Sequence, residues 1–248
     1  MVAAEGGNNA QRFFFECSKW IEGLEMNLSD KFARGQTMFF RFFADVFFAK
    51  RYGHRAVVLE TIAGVPGMVA GMWIHLRSLR QMKTGYGPTI RELLAEAENE
   101  RMHLMFFIDI AKPNALERAL ILAAQAIFWN YYFVFYVFFP KTAHKMIHYF
   151  EEEAVSSYTQ YLEMIESGKI EDVPAPQLAI DYYSLASDAR LSDMIQCVRA
   201  DEQHHADVNL RMATGQLDEE ASTPFKQEEA SRPTAPSNVF LSEAGGQG

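Results

Sequence analysis

Cysteine is nearly absent from this chain, and acidic residues outnumber basic ones. The two cysteines, Cys17 and Cys197, lie far apart and form no Cys-x-x-Cys spacing. A disulfide framework, a cysteine-rich zinc site and an iron–sulfur site are therefore excluded. The chain has 23 basic and 32 acidic residues and a net charge of −9, which argues against nucleic acid as the main partner.

Strand patterns and a secretory signal are also missing. No stretch of any length alternates apolar and polar residues as a β-strand does. No apolar run follows a basic start at the N-terminus, so no signal peptide is predicted. The same segment makes a poor mitochondrial presequence, because Glu5 and Glu16 interrupt it and Arg12 is nearly its only base. We expect an all-α protein whose targeting residues are either absent from this chain or not needed.

Helical periodicity and turn residues divide the chain into three parts. We predict a partly ordered N-terminal arm over residues 1–35, a helical domain over 36–214 and a disordered C-terminal tail over 215–248. Helices are predicted over residues 12–24, 56–83, 90–109, 116–139, 143–166 and 187–212. Pro66 should bend the second of these helices or cost it a hydrogen bond, and Thr89 is the predicted N-cap of the third.

Two segments are unusually apolar in a chain that has 20 Phe. Residues 38–51 combine Phe with a few bases in an amphipathic pattern, which fits either a membrane-surface helix or a buried one. Residues 119–140 carry no charged side chain and are long enough to span a membrane. Because Gln125, Asn130 and several Trp and Tyr residues interrupt that stretch, we favour a buried or half-immersed helix.

Two Glu-x-x-His motifs carry the strongest chemical signal, Glu100 with His103 and Glu202 with His205. A helix brings residues three apart onto one face, so each motif offers a carboxylate and an imidazole side by side. One isolated copy is typical of a solvated helix surface, but both copies lie on faces that also carry apolar residues. Burying such carboxylates without a cation would be costly. The two motifs therefore predict a two-metal site between helices.

Further carboxylates are available on two other predicted helices. Glu60 lies on one of them, and a run of three glutamates, Glu151, Glu152 and Glu153, lies on the other. Periodicity does not choose among the three, and a solvated acidic face is their alternative interpretation. His148 is a competing imidazole ligand. Four carboxylates and two imidazoles suit two iron ions, although manganese or zinc could use the same ligands.

Four stretches of the sequence resemble the alternative oxidase family, the cyanide-insensitive quinol oxidases. They are residues 59–68 (LETIAGVPGM), 99–104 (NERMHL), 151–154 (EEEA) with Tyr158, and 199–205 (RADEQHH) followed by 207–209 (DVN). Together and in this order these motifs are highly specific, and the similarity covers roughly residues 51–212. The resemblance implies a ferritin-like four-helix bundle with additional membrane-associating helices.

The resemblance also implies a role for individual residues. It selects Glu151 from the three neighbouring glutamates and gives two iron ions, joined by a hydroxo or oxo bridge, six protein ligands. The implied ligands are Glu60, Glu100, His103, Glu151, Glu202 and His205. Asn99 and Asp201 match residues expected to orient the histidines. Tyr158 matches a tyrosine that would donate an electron and a proton during O–O cleavage.

A quinol pocket is implied in the same way. Its residues would be Arg55, Leu59, Glu153, Ala154 and Ser157. Ser157 stands where relatives often have threonine. Tyr183 stands where many members of the family have tryptophan, so a role for that ring in electron transfer is not carried over to this chain.

The implied reaction oxidises two ubiquinols and reduces one O₂ to two waters without pumping protons. Because ubiquinol dissolves in lipid, the resemblance implies monotopic association with membrane lipid, and relatives form homodimers. The implied location is the matrix face of the mitochondrial inner membrane, with a bacterial cytoplasmic membrane as the alternative.

Three other functions fit parts of the pattern. Another di-iron carboxylate enzyme, such as a quinone-precursor hydroxylase or a desaturase, would share the metal ligands but change the carbon skeleton of its substrate. A ferritin-like iron-binding protein would turn over iron without quinol. In a non-enzymatic membrane helix protein, the paired motifs would be accidental.

Overall fold

A computed structural model describes residues 28–48, 51–83 and 85–215 of the chain. Within these residues the protein is all-helical, as predicted, and contains no strand. The helices are α1 (Leu28–Phe48), α2 (Tyr52–Gln81), α3 (Gly87–Ala111), α4 (Ala115–Phe138), α5 (Pro140–Glu166), α6 (Gln177–Tyr183) and α7 (Leu191–Thr214). The helix predicted over residues 12–24 and nearly all of the predicted tail lie outside the described residues. The boundary predicted after residue 35 falls inside α1.

Among the helices that begin earlier than the sequence predicts, α3 and α5 have proline in the first turn. Helix α3 begins at Gly87 with Pro88 next to it, so Thr89 lies inside the helix and is not its N-cap. Helix α5 begins at Pro140. Proline suits the first turn because its fixed φ is already helical and its missing N–H would have no intrahelical partner there.

Helix α2 continues through Pro66, and α6 was not predicted at all. Pro66 lies inside α2 and is buried. Helix α6 has only seven residues and lies between the helices predicted over residues 143–166 and 187–212. Its shortness explains why periodicity missed it, since one apolar face over two turns gives little signal.

Four long helices form a bundle around a buried polar centre. Helix α2 packs mainly on α3, and α5 packs mainly on α7. Helix α4 lies against α2, and α1 lies against α5. The two hydrophobic cores, which include Phe107 and Ile195 in one and Met146 and Tyr132 in the other, lie on either side of this centre. The bundle therefore positions α2, α3, α5 and α7 to share one site.

Gly67 brings α2 and α3 close together. If Gly67 carried a Cβ, that carbon would overlap the backbone carbonyl oxygen of Leu93 and lie 3.1 Å from the Cβ of Ala97. At Gly64, the same carbon would lie 3.6 Å from the Cβ of Glu100, which is an ordinary contact. Close backbone approach at Gly67 therefore limits the distance between the two helices.

Two helices are long and apolar enough to cross a membrane by length and composition, α2 and α4. They differ in burial. In the most apolar window, 61% of α2 is buried inside the chain but only 28% of α4. Helix α2 is therefore a core helix of the bundle, whereas most of α4 faces outward. Of the two states we favour for residues 119–140, complete burial within this chain is excluded.

Candidate metal centre

Each helix of the bundle contributes carboxylate or imidazole groups to the centre. Helix α2 carries Glu60 and α5 carries Glu151, while α3 and α7 carry the two Glu-x-x-His motifs. All six side chains are buried; they are Glu60, Glu100, His103, Glu151, Glu202 and His205. One helical turn separates the members of each motif, so both face the same interior space.

The six side chains form two overlapping groups of four. In one group, ligand atoms of Glu60, Glu100, His103 and Glu202 all lie within 4.8 Å of one another. In the other, the same holds for Glu100, Glu151, Glu202 and His205. Glu100 and Glu202 belong to both groups. Two overlapping groups of this kind could hold a pair of metal ions.

Each imidazole lies close to carboxylates from other helices. His103 Nδ1 lies 3.2 Å from Glu202 Oε1 and 3.4 Å from Glu60 Oε2. His205 Nδ1 lies 2.7 Å from Glu100 Oε1. The structure thus brings together every residue that the resemblance assigns as an iron ligand. Their role in coordination stays a prediction.

Several atoms at the centre are buried without a hydrogen-bond partner among the described residues. They are Glu60 Oε2, both carboxylate oxygens of Glu100, Glu202 Oε1, His103 Nδ1 and His205 Nδ1. Leaving one buried polar group unsatisfied costs about 1–3 kcal/mol. Carboxylate oxygens and imidazole nitrogens are ligands that iron accepts. The residues present therefore fit a pair of metal ions.

Electrostatics support the same interpretation. Burial raises the pKa of Glu100 and Glu151, and the neighbouring carboxylates raise it further. Burial also raises the pKa of Glu202, with Glu60 adding to the effect. The pKa of Glu60 is lowered despite burial, because His103 lies beside it. Four carboxylates crowded in this way are stabilised as anions only when cations join them.

The two histidines differ in their surroundings. Burial, and then the nearby His103, lower the pKa of His205 to about 3, so its imidazole is neutral and able to bind a metal. Burial also disfavours the charged form of His103, but Asp201, Glu202 and Glu60 outweigh it and raise the pKa. The surroundings thus favour the charged form of the His103 imidazole and disfavour that of His205.

Asp201 and Asn99 lie behind His103. Asp201 Oδ2 lies 3.2 Å from His103 Nε2 and accepts a hydrogen bond from Asn99 Nδ2 at 3.0 Å. Burial would raise the pKa of Asp201, yet the hydrogen bonds from His103, Tyr183 and Asn99 lower it to about 2. Among the contacts described for the two residues, Asp201 touches one histidine directly, and Asn99 reaches it only through Asp201.

Tyr158 lies on α5, and its hydroxyl donates a hydrogen bond to Glu60 Oε1. Its ring stacks on Phe107, with the two centroids 5.6 Å apart. Burial raises the pKa of the phenol, and Glu60 and Glu202 raise it further. Tyr158 therefore keeps its proton at neutral pH and holds it next to the metal ligands.

The predicted quinol-pocket residues lie on two neighbouring helices. Arg55 and Leu59 are on α2, shortly before Glu60, while Glu153, Ala154 and Ser157 are on α5, shortly before Tyr158. Ser157 is buried and the other four are partly exposed. Whether the five bind quinol stays a prediction.

Two contacts near the centre were not predicted from the sequence. Arg41 on α1 forms an ion pair with Glu153, and only the amphipathic pattern of α1 gave any hint of it. Tyr183 on α6 donates a hydrogen bond to Asp201 at 2.7 Å. The signal for Tyr183 was its departure from the tryptophan that the resemblance implies, which alone indicated no contact.

A second buried polar network lies next to the centre. Asn209 Nδ2 donates to Glu96 Oε2 at 2.9 Å and to the backbone oxygen of His205 at 3.0 Å. His144 Nδ1 lies 2.9 Å from Asn209 Oδ1, and its Nε2 lies 3.1 Å from the hydroxyl of Tyr136. Burial raises the pKa of Glu96 to about 8. No pattern in the sequence pointed to His144.

Four helices that share two Glu-x-x-His motifs and two further buried glutamates define a di-metal carboxylate protein. Comparison with known proteins narrows this class. The sequence model of a family described as "Alternative oxidase" matches residues 16–214. The chain therefore belongs to the alternative oxidase family, as the four motifs indicate.

Individual relatives agree with the family match. The chain is 55% identical over 183 residues to "Ubiquinol oxidase 2, mitochondrial" of Glycine max, a match that covers 74% of this chain and 55% of the relative. It is 50% identical over 198 residues to "Ubiquinol oxidase, mitochondrial" of Batrachochytrium dendrobatidis, covering 80% of this chain and 62% of that relative. The chain thus spans somewhat more than half the length of these relatives.

Proposed function

We propose that this protein is a ubiquinol oxidase that reduces O₂ to water at a di-iron centre, insensitive to cyanide and without pumping protons. The observation that carries the proposal is the convergence of six buried ligands, with unsatisfied atoms aimed inward, beside a buried tyrosine that donates to one of them. The printed names of the relatives, ubiquinol oxidases, support the choice of substrate.

Six side chains would hold the two iron ions. Glu60 and His103 belong to one group of candidate ligands, Glu151 and His205 belong to the other, and Glu100 and Glu202 belong to both. When bound, iron supplies the change of oxidation state and the open coordination positions that reduction of O₂ requires, whereas zinc would supply no redox chemistry. Asp201 would hold His103 from the opposite side of its ring.

Tyr158 would act as a donor within the centre. Its phenol oxygen is protonated at neutral pH and is held by Glu60, so it is placed to release a proton and an electron together. Each ubiquinol gives two electrons and two protons, and two ubiquinols match the four of each needed to form two waters from O₂. Quinol would return Tyr158 to its starting state.

The quinol head group would bind beside Tyr158. Arg55 and Leu59 on α2 and Glu153, Ala154 and Ser157 on α5 would form the pocket. The ion pair with Arg41 would orient the Glu153 carboxylate, which is a candidate acceptor for a quinol proton. Ser157 is buried close to Tyr158 along α5 and would hydrogen-bond a quinol oxygen.

Helices α1 and α4 would rest on the membrane. Large apolar side chains on both are exposed, among them Phe39 at 58%, Ile127 at 73% and Phe138 at 70%. A groove of about 560 Å³ runs between the two helices. Exposed bases such as Lys31 and Arg118 lie on the same helices, which suits a monotopic protein at a lipid surface. Quinol could then enter sideways from the bilayer.

A second exposed apolar surface supports a homodimer. It follows one stripe of α2 and reaches α3, and its members are Met68, Met72, Leu76, Leu79 and Leu94. It lies on different helices from the proposed membrane surface, so both could be covered at once. The names of the relatives support a mitochondrial location. Within the mitochondrion we propose the matrix face of the inner membrane, with a bacterial cytoplasmic membrane as the alternative.

Oxygen consumption tests the proposal, with a short-chain ubiquinol as substrate and cyanide present. The iron-loaded protein should consume one O₂ for two quinols and form quinone as the organic product. Glu151→Ala should abolish this activity, while the matched variant Glu152→Ala, which changes an exposed neighbour, should retain it. An altered carbon skeleton would point instead to a hydroxylase or desaturase. Iron turnover without quinol oxidation would point to a ferritin-like protein.

A further inference from the structure

The His103 imidazole contacts two polar groups through its Nε2 atom. Its Nε2 lies 2.9 Å from the hydroxyl oxygen of Tyr183 and 3.2 Å from Asp201 Oδ2. The Tyr183 hydroxyl lies 2.7 Å from the same Asp201 oxygen. The three atoms therefore form a closed triangle, in which Tyr183 is the nearer partner of the imidazole.

The donors and acceptors available assign a direction to each contact. Asp201 Oδ2 accepts the hydrogen bond that Asn99 Nδ2 donates, and the Tyr183 hydroxyl donates to the same oxygen. The oxygen of that hydroxyl keeps lone pairs that can accept the Nε2–H of His103. With the proton on Nε2, the lone pair of Nδ1 faces Glu60 and Glu202, where a metal would bind.

Packing holds the Tyr183 ring in this position. Its centroid lies 5.7 Å from that of Phe106 and 5.0 Å from that of Tyr182, the latter nearly at right angles. Phe106 is fully buried and lies one turn beyond His103 on α3. The short helix α6 thus presents a rigid hydroxyl to the metal ligand.

A hydroxyl does something here that an indole cannot. The tryptophan N–H donates but has no lone pair to accept a hydrogen bond. In a relative with tryptophan at this position, the indole could hold Asp201 but could not take the Nε2–H of the histidine. The Tyr183 hydroxyl can do both at once.

We propose that Tyr183 is a positioning residue that fixes the orientation and the protonated nitrogen of His103 by accepting its Nε2–H while donating to Asp201. The inference rests on the proposed metal binding by His103 but not on quinol oxidation. Its effect should therefore appear in how tightly the protein holds iron, whichever substrate it oxidises.

Iron retention by Tyr183→Phe provides the test. Each variant is loaded anaerobically with Fe²⁺ alone, and the release of iron to an excess of a colorimetric chelator is followed. Loss of one such supporting hydrogen bond weakens metal binding by roughly 10–100-fold, and since Asp201 remains, we expect release about 10-fold faster. Tyr182→Phe is the matched control, because the Tyr182 hydroxyl contacts Asn99 and not the histidine. It should change release less than about 2-fold.

Two further measurements separate positioning from a merely structural role. Loading with Co²⁺ should give a visible absorption spectrum that shifts in Tyr183→Phe and stays unchanged in Tyr182→Phe, since only the first alters the histidine ligand. Tyr183→Trp should also release iron faster than the wild type. Release at the wild-type rate in Tyr183→Phe or in Tyr183→Trp would overturn the proposal. So would an unchanged Co²⁺ spectrum accompanied by a lower unfolding temperature of the metal-free protein.

Discussion

Two groups of buried acids and histidines lie next to each other in this bundle, and they differ in how well the protein satisfies them. In the metal centre, Glu100 has no hydrogen-bond partner on either carboxylate oxygen among the described residues, and both histidines lack one on Nδ1. In the neighbouring network, both nitrogens of His144 and both amide atoms of Asn209 are hydrogen-bonded. Glu96 has one oxygen bonded and one without a partner.

Whether the buried polar atoms have hydrogen-bond partners thus distinguishes a binding site from a structural network, even when both contain the same residue types. A network that satisfies itself links helices and needs nothing more. A cluster whose atoms stay unsatisfied is unstable until something binds it. Burial alone would not distinguish the two groups, since Glu96 and Glu100 are both buried and lie one helical turn apart.

The largest difference should appear on adding iron. Anaerobic Fe²⁺ at about 1,000 times its dissociation constant should stabilise the wild type by about 4 kcal/mol, which thermal unfolding would detect. Glu202→Ala should lose most of this stabilisation because it removes a carboxylate common to both groups of ligands. Glu96→Gln should keep it. Equal stabilisation of both variants would mean that iron binds elsewhere.

Activity should respond next most strongly, at Tyr158. Tyr158→Phe removes the hydroxyl that donates to Glu60 but keeps the ring that stacks on Phe107. We expect quinol-dependent oxygen consumption to fall by about 100-fold, the lower end of what a positioned proton donor contributes. Iron content, measured by atomic absorption, should stay at the wild-type value. A parallel loss of iron would show that the hydroxyl supports binding and not chemistry.

The pH dependence of stability should reveal the neighbouring network. The pKa of Glu96 is raised from 4.5 to about 8 in the folded protein, so the folded state holds a proton that the unfolded state releases at lower pH. The resulting stability is complete below pH 4.5 and is lost as the pH rises through about 8.

Urea unfolding of the wild type and of Glu96→Gln, at pH values of about 6 and about 9, measures this contribution. Over that interval the wild type should lose about 3 kcal/mol more than the variant, because pH 6 lies about two units below the pKa in the folded protein and each unit corresponds to about 1.4 kcal/mol. Glutamine stays neutral at both values. Identical pH profiles would show that Glu96 is not held as the neutral acid.

The smallest effect is expected at the far end of the same network. Tyr136→Phe removes the hydroxyl that contacts His144 Nε2. It should lower the free energy of unfolding by about 1 kcal/mol, the net contribution of one hydrogen bond. Oxygen consumption should not change, because Asn209 is the member of this network that touches the backbone of a metal ligand. An activity loss above a few-fold would show that the hydrogen-bonded network and the metal centre act together in the reaction.

The sequence predicts features that lie along a single helix better than it predicts contacts between helices. Residue spacing placed each Glu-x-x-His motif on one helix face, because a helix brings residues three apart onto the same side. Choosing Glu151 over its neighbours needed the resemblance, since three adjacent glutamates differ by rotation alone. The Arg41–Glu153 pair and the position of Tyr183 depend on how separate helices pack. Spacing along one helix carries no such information.

Gly67 has a consequence for the centre two turns away. The backbone of α2 lies so close to the Leu93 carbonyl there that no side chain fits between α2 and α3. A methyl group added at Gly67 would therefore push the two helices apart. Glu60 and Glu100 are mounted on opposite sides of that gap. Gly67 thus limits how far apart the two carboxylates lie. The limit comes from main-chain contact and does not depend on the side chains that fill the core.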